Sequence, residues 1–322
     1  MPIERMKAVF LDFDTVSSAD LDTRRLAQSV DELTLFDIDE PRAAEMLAGA
    51  QAVLLNKVRL SREILQGAAG TLRLVALAAT GTDNVDLVAA RELGIAVCNV
   101  RDYCTMSVVQ QVWALILSLN QHLADYAALT RSGAWTRHET HTGLARPIRE
   151  LAGKTFGVVG HGNLGRGAAR LAEAFGMRVI VAQRPGGAAE AGRVPLDELL
   201  ASADIVSLHC PLTPATRGLI GARELALMKP DALLINTARG GLIDAGALAA
   251  ALKAGRLGGA GLDVLAQEPP ALDDPLLDAA LPNLLVTPHV AWSAREARQR
   301  CIDEMTQNVV DFRRGGRRGR VV

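Results

Sequence analysis

Three polar islands in the second half of this 322-residue chain carry residue types suited to chemistry at a carbonyl. They are Asn236-Thr237-Ala238-Arg239-Gly240-Gly241, the stretch from Asp263 to Glu268-Pro269-Pro270, and Thr287-Pro288-His289-Val290-Ala291-Trp292. Each directly follows a short apolar run that reads as a buried strand, at 232–235, 259–262 and 284–286. Reduction of a carbonyl by hydride needs a proton donor, a positive charge near the carbonyl or carboxylate, and a group that tunes the donor. A histidine with a neighbouring carboxylate keeps imidazolium available near neutral pH. An arginine can hold a carboxylate through two parallel hydrogen bonds. Taken singly, Arg239 reads equally well as a surface charge, Glu268 as a loop carboxylate and His289 as a satisfied core histidine. Their arrival at three consecutive strand ends favours a site.

A second signal lies upstream. Gly160-His161-Gly162-Asn163-Leu164-Gly165 follows the apolar run 156–159 and opens a segment, 164–175, with helical spacing of Leu, Ala and Phe. Strand, glycine turn and helix in that order form the context in which G-x-G-x-x-G implies dinucleotide binding. Gly160 permits the tight turn, Gly162 lets the backbone approach a pyrophosphate, and Gly165 lets helix pack on strand. The helix N-terminus then offers free N–H groups and partial positive charge to the phosphates.

The elements that must position these residues follow from apolar periodicity. Runs at 8–11, 33–36, 53–55, 74–77 and 95–98 read as buried strands, with helical patterns at 19–30, 41–48, 61–67 and 85–93 between them. That βα rhythm implies a parallel sheet covered on both faces. A long helix starts at Thr105, with Val108, Val112, Leu115, Ile116 and Leu119 on one face. After a polar stretch at 131–149, a second rhythm supplies strands at 156–159, 178–182, 205–208, 232–235, 259–262 and 284–286, with helices at 197–201, 223–228 and 245–254. The expected architecture is α/β, with two doubly wound parallel-sheet domains: a Rossmann coenzyme domain at 102–291 inserted in a flavodoxin-like substrate domain at 1–101 and 292–322. The amphipathic segment 293–312 is expected to pack back on the first domain.

Composition bounds the alternatives. Net charge is −1 and about half of the residues are apolar, so no overall bias toward nucleic acid or membrane exists. No apolar run approaches a membrane span, and Met1-Pro2-Ile3-Glu4-Arg5 lacks a signal-peptide layout. Cys98, Cys104, Cys210 and Cys301 are scattered without C-x-x-C spacing, as suits free thiols in a reducing cytoplasm. Arg313, Arg314, Arg317, Arg318 and Arg320 read as a solvated tail rather than a nucleic-acid patch.

Over nearly its whole length the chain resembles the D-2-hydroxyacid dehydrogenases, and most of all their glycerate dehydrogenase/hydroxypyruvate reductase branch. The matching motifs are Ala79-Thr80-Gly81-Thr82-Asp83-Asn84-Val85-Asp86, the Gly160–Gly165 turn, His209-Cys210-Pro211-Leu212-Thr213 and the three islands. The resemblance implies that Arg239 binds and polarises a 2-oxo acid, that His289 is the general acid/base, and that Glu268 pairs with His289 and raises its pKa. It implies that backbone N–H groups of Ala79, Thr80 and Gly81 hold the substrate carboxylate. It also implies that Thr105, Asn163, Leu164, Cys210, Pro211, Thr216, Thr237, Ala238, Arg239, Asp263, His289 and Ala291 line the cofactor, with Asp263 at the nicotinamide carboxamide. Trp292 reads as a wall of the substrate pocket, with interdomain packing as the alternative. The expected substrates are hydroxypyruvate and glyoxylate, with domain closure excluding water. The expected assembly is a homodimer through the coenzyme domain, fitting the long helix after Thr105 and the apolar Trp135 region. The rival from another class is a dinucleotide-sensing corepressor on the same fold.

Two departures stand out. Enzymes that select NAD usually place Asp or Glu at the end of the second strand, whereas this chain has Gln183-Arg184 there. Without that carboxylate a 2′-phosphate is not repelled, and Arg184 could attract one. The expected cofactor is therefore NAD(H) or NADP(H), leaning to acceptance of NADP(H), although Gln183 could equally bond a ribose hydroxyl. The second departure is Gln110-Gln111, where many relatives carry Glu-His. Two further motifs invite other chemistry. Leu11-Asp12-Phe13-Asp14-Thr15 resembles the D-x-D-x-T nucleophile loop of a phosphatase, and His138 and His141 have an i, i+3 spacing; an exposed loop without metal is the expected reading of the latter. Asn56-Lys57 reads either as a crevice contact or as a solvated turn.

Overall fold

A computed structural model describes residues 5–137, 142–144, 146–184, 187, 190–278 and 280–322. Its chain divides into two compact units, 1–104 with 292–322, and 105–291. His138 and His141 lie outside the described residues.

The first unit is built on a five-stranded parallel sheet in the order β2-β1-β3-β4-β5. Its strands are β1 (Lys7–Phe10), β2 (Glu32–Leu35), β3 (Ala52–Leu55), β4 (Leu74–Leu77) and β5 (Ala96–Cys98). β3 and β4 are buried at every position, as expected of central strands with both faces covered. The helices on that sheet are short: α1 (Arg24–Gln28), α2 (Ala43–Met46), α3 (Arg62–Ala68) and α4 (Leu87–Glu92). α1 covers only part of the expected 19–30 segment. Ala19 sits at φ 63°, outside helical space, and Asp20 and Asp22 instead bond Arg298 and Arg24. Acidic residues that hydrogen-bond locally compete with helix, so the chain enters α1 late.

The last helix of the chain, α11 (Arg295–Arg313), belongs to this unit. Its Ala297, Cys301, Ile302, Met305 and Val309 are buried with Phe10, Leu54 and Leu74 in one apolar cluster. The arginine-rich end beyond it is not a solvated tail. Val321 N donates to Val97 O at 2.7 Å, and Val97 N donates to Val322 O at 3.3 Å, so the end runs beside β5. Arg313 pairs with Asp31, and Arg318 with Glu304.

The second unit holds a six-stranded parallel sheet, β11-β10-β9-β8-β6-β7. The strands are β6 (Thr155–Val159), β7 (Arg178–Val181), β8 (Ile205–Leu208), β9 (Leu233–Asn236), β10 (Gly259–Leu262) and β11 (Leu284–Val286). A doubly wound dinucleotide sheet carries a third strand outside the second. Here it shrinks to a one-residue bridge, Val194 against Ala182 at the end of β7. The helices are α5 (Thr105–Asn120), α6 (Leu123–Arg131), α7 (Asn163–Ala174), α8 (Leu196–Ser202), α9 (Ala222–Leu227) and α10 (Ala245–Lys253). α6 was not expected; it has no buried residue, so no apolar stripe announces it. α5 lies over the sheet, burying Val109, Val112, Leu115 and Ile116 with Phe156, Val158 and Ile235. No helix among the described residues is long and apolar enough to cross a membrane.

One buried carboxylate organises the upper edge of the first sheet. Asp12, two residues beyond β1, is fully buried and accepts the N–H groups of Asn56, Lys57 and Val58 at 2.9, 2.5 and 2.9 Å. Asp14 accepts the N–H of Ile38 at 2.8 Å. Both aspartates of this phosphatase-like stretch, Asp12 and Asp14, are therefore loop anchors, and the phosphatase reading falls. Asn56 itself is buried, its Nδ2 bonded to Thr15 Oγ1 at 3.0 Å. Asp12→Asn would turn an amide N–H₂ toward backbone donors and orphan at least one of them, at about 1–3 kcal/mol. Chemical denaturation should show that loss; an unchanged midpoint would refute the anchoring role.

Candidate active site

Both loops that flank β6 and β8, where the strand order reverses, meet at the glycine turn. Gly160 lies at φ 97°, and a Cβ there would stand 2.5 Å from Cys210 N. At Gly165 a Cβ would stand 2.1 Å from Gly160 O, so only glycine lets α7 close on the turn. Gly162 differs: its φ is −78°, and a Cβ would meet nothing within 4 Å. The protein does not require glycine there. A ligand brought against the backbone would, and α7 begins at that point with no side chain capping its first N–H groups. The residues therefore fit a dinucleotide pyrophosphate. Arg166 braces the turn, with Nη1 donating to His161 O at 3.1 Å and Nη2 to Asn163 Oδ1. Thr105, His161, Asn163 and Arg166 line one cavity of about 460 Å³ beside it.

The three polar islands fold into one interlocked edge. After β9, the fully buried Asn236 grips its own loop. Its Nδ2 donates to Arg239 O at 2.9 Å and its Oδ1 accepts Ala238 N–H at 3.0 Å. Arg239 Nη1 donates to Ala238 O at 2.8 Å. Gly240 then touches the next loop so closely that a Cβ would stand 1.9 Å from Leu265 C. Leu265 N in turn donates to Glu268 Oε1 at 3.0 Å. Glu268 Oε2 lies 2.5 Å from His289 Nδ1. Against an ionised carboxylate only Nδ1–H can donate, which leaves Nε2 as the position for proton exchange.

His289 is held by Asp263. The carboxylate, about 1% exposed, accepts the Thr287 hydroxyl at 2.5 Å and the Val290 and Ala291 N–H groups at 3.0 and 2.8 Å. The Asp263 carbonyl accepts His289 N–H at 2.9 Å. These bonds sustain a left-handed backbone at His289, φ 54°, a conformation that costs about 1 kcal/mol or more without such support. Burial pushes the Asp263 carboxyl up, against the lowering effect of its three donors. On the helix side, Gln111 Nε2 donates to Thr287 Oγ1 at 3.1 Å. Gln111, whose role the sequence left blank, thus orients the hydroxyl that serves Asp263. Ser107 Oγ fixes the end of the loop on Ala291 O at 2.6 Å.

Other expected cofactor contacts are more deeply engaged. Thr216 Oγ1 donates to Pro211 O at 2.7 Å and accepts Thr213 N–H at 2.8 Å, so it shapes its loop. Cys210 is buried, which lifts its thiol to about 11. Thr237 Oγ1 is buried with no protein partner among the described residues. Arg184 is exposed and faces Glu190, 3.3 Å from Nε. In the first unit the Thr80 hydroxyl donates to Val100 O at 2.7 Å and its carbonyl accepts Asn99 Nδ2 at 2.7 Å, fixing the 79–81 loop. Trp292 stands edge-on to Tyr103, centroids 6.4 Å apart, against that unit's core.

The chain matches the family described as D-isomer specific 2-hydroxyacid dehydrogenase, NAD binding domain, over residues 113–291. It is 45% identical to a glycerate dehydrogenase of Methylorubrum extorquens over 268 residues, 83% of this chain and 84% of the relative. It is 35% identical to a hydroxypyruvate reductase of Blautia hydrogenotrophica over 318 residues, 96% and 98% of the two chains. Among solved structures, an acyclic imino acid reductase in complex with NADPH and D-Arg superposes with a TM-score of 0.86 at 28% identity, covering 98% of this chain and 100% of that one. None of these relatives supports the corepressor alternative.

His209, just past β8, was not expected to matter. Its Nε2 pairs with Ser207 Oγ at 2.9 Å, while Nδ1 is buried with no protein partner among the described residues. Burial drops its pKa from 6.5 to about 4. The unfolded chain therefore binds a proton near pH 6.5 that the folded chain refuses until about pH 4. Stability contributed by neutral His209 is complete above pH 6.5 and falls by about 3 kcal/mol on the way to pH 4. Stability–pH curves of wild type and His209→Gln should converge by that amount as pH falls; parallel curves would refute it.

Proposed function

The chain belongs to the D-isomer specific 2-hydroxyacid dehydrogenase family, and we propose that it reduces small 2-oxo acids, hydroxypyruvate and glyoxylate foremost, to D-2-hydroxy acids. The observation that carries this reading is the 2.5 Å pairing of His289 with Glu268, on a loop set that also presents Arg239 and shares a sheet edge with the glycine turn. A bound NADH or NADPH supplies the hydride. Within that scheme Nε2 of His289 gives the proton to the carbonyl oxygen, and Glu268 stabilises the imidazolium that precedes transfer. Arg239 takes the charge that develops at the carbonyl oxygen. Ala79, Thr80 and Gly81 hold the substrate carboxylate through backbone N–H groups, and Trp292 bounds the substrate's far end. Asp263 faces the nicotinamide carboxamide while fixing the 287–291 loop.

The cofactor is a nicotinamide dinucleotide, and acceptance of NADP(H) alongside NAD(H) follows from Gln183-Arg184 at the end of β7. We place the enzyme in the cytoplasm, in keeping with four free cysteines, and as a homodimer through the second unit. Support for the dimer comes from Leu123, Trp135, Leu144 and Ile148, whose exposures run from 49% to 85%. Such apolar surface on one unit favours a partner.

His289→Ala should lower kcat for hydroxypyruvate reduction by about 10²–10⁴-fold while cofactor binding persists. A stably folded variant with near-wild-type turnover would remove His289 from the reaction. Binding of both dinucleotides without turnover of hydroxypyruvate, glyoxylate, pyruvate or bulkier 2-oxo acids would overturn the activity itself.

A further inference from the structure

We propose that Glu190 sets the balance between NAD(H) and NADP(H), its carboxylate lying between Arg184 and Arg193 where a 2′-phosphate would bind. The inference rests on the reading that the second unit binds a nicotinamide dinucleotide at the glycine turn.

The missing strand-end carboxylate of the sequence returns from farther along the chain. The third strand of the sheet is only the Val194 bridge, which lies directly against the end of β7. Gln183 N donates to Val194 O at 2.8 Å, and Val194 N to Val181 O at 2.9 Å. Gln183 and Val194 are thereby fixed to each other at the C-terminal end of β7, the end that meets the adenosine ribose in this fold. There Glu190 Oε2 lies 2.8 Å from Arg193 Nε and Oε1 lies 3.3 Å from Arg184 Nε.

The two arginines are not equivalent. Arg193 is moored, its Nη1 donating to Ala182 O at 3.2 Å and its side chain only 17% exposed. Arg184 is 72% exposed and tied to the cluster by Glu190. Burial, then the charges of Arg193 and Arg166, lower the pKa of His161 in the glycine turn. The contact with Ala182 O holds the Arg193 guanidinium at the end of β7.

Charge then decides the competition. Two guanidiniums and one carboxylate leave a net +1. A ribose 2′-hydroxyl can donate to Glu190 and leaves that balance unchanged. A 2′-phosphate brings acceptors only, and it must displace Glu190 to gain both guanidiniums in the bidentate manner they favour. Solvent access at Arg184 and Glu190 screens the exchange, so the expected effect is about tenfold rather than thousandsfold.

The test is calorimetric titration of the full-length protein with ADP and with 2′,5′-ADP, backed by kcat/KM for NADH and NADPH. Glu190→Gln should tighten 2′,5′-ADP by about tenfold while ADP changes by less than about threefold, with the NADPH/NADH ratio of kcat/KM rising in step. Adding Arg193→Gln to that variant should cancel the gain. If wild type and Glu190→Gln both bind ADP normally and the ratio of the two affinities is unchanged, the assignment of Glu190 is overturned while the dinucleotide reading stands. If folded wild type binds neither nucleotide, the dinucleotide reading fails and carries this inference with it.

Discussion

A parallel sheet ends in carbonyls and N–H groups that have no partner strand beyond them, and the loops that follow must find partners or be solvated. In the second unit that constraint is met by one buried carboxylate. Asp263 stands one residue past β10 and collects a hydroxyl and two N–H groups from the loop that follows β11. The loop carries His289, so that imidazole inherits its position from Asp263. A lone buried carboxylate is costly, and hydrogen bonds to a charged group contribute about 1.5–3 kcal/mol each. The three donors offset that cost only together, which ties the loop's geometry to the integrity of the whole set.

The first unit uses the same device. Asp12, two residues past β1, takes three N–H groups from the loop that follows the adjacent β3. In both units a carboxylate at one strand end organises the loop of its neighbour, and the organised loops lie on the edge where α/β sheets bind ligands. The difference is what the loops present: backbone and Lys57 in one unit, an imidazole paired with Glu268 in the other.

Legibility from sequence followed the physics. The eleven strands of the described residues all read as apolar runs; the central ones are buried on both faces and admit little else, while the edge strands β2 and β7 keep enough apolar residues to show despite Glu32 and Arg178. The proposed trio stood out in sequence because Arg239, Glu268 and His289 each lie on a polar island that follows such a run. Elements without apolar pattern were not: α6 buries nothing, and α1 loses its first turns to Asp20 and Asp22. The arginine-rich end looked solvated because its attachment to β5 is made by backbone groups, to which composition is blind. Glu190 was invisible for a topological reason. Its place beside β7 depends on the third strand shrinking to one residue, and no local spacing announces that.

The same reasoning gives Gln111 its meaning. It stands on α5 at the head of a chain of hydrogen bonds, Gln111 to Thr287 to Asp263, and Asp263 holds the loop of His289. An amide in that place donates a hydrogen bond without carrying charge. A histidine there would donate equally well, but it would change charge between pH 5 and 8 two hydrogen bonds from a buried carboxylate. With glutamine, Asp263 keeps a donor set that no change of pH in that range alters, since its partners are a hydroxyl and two backbone amides. Among the described residues His289 is then the one imidazole in this network, and in the proposed reaction its proton is not shared with the groups that hold it in place.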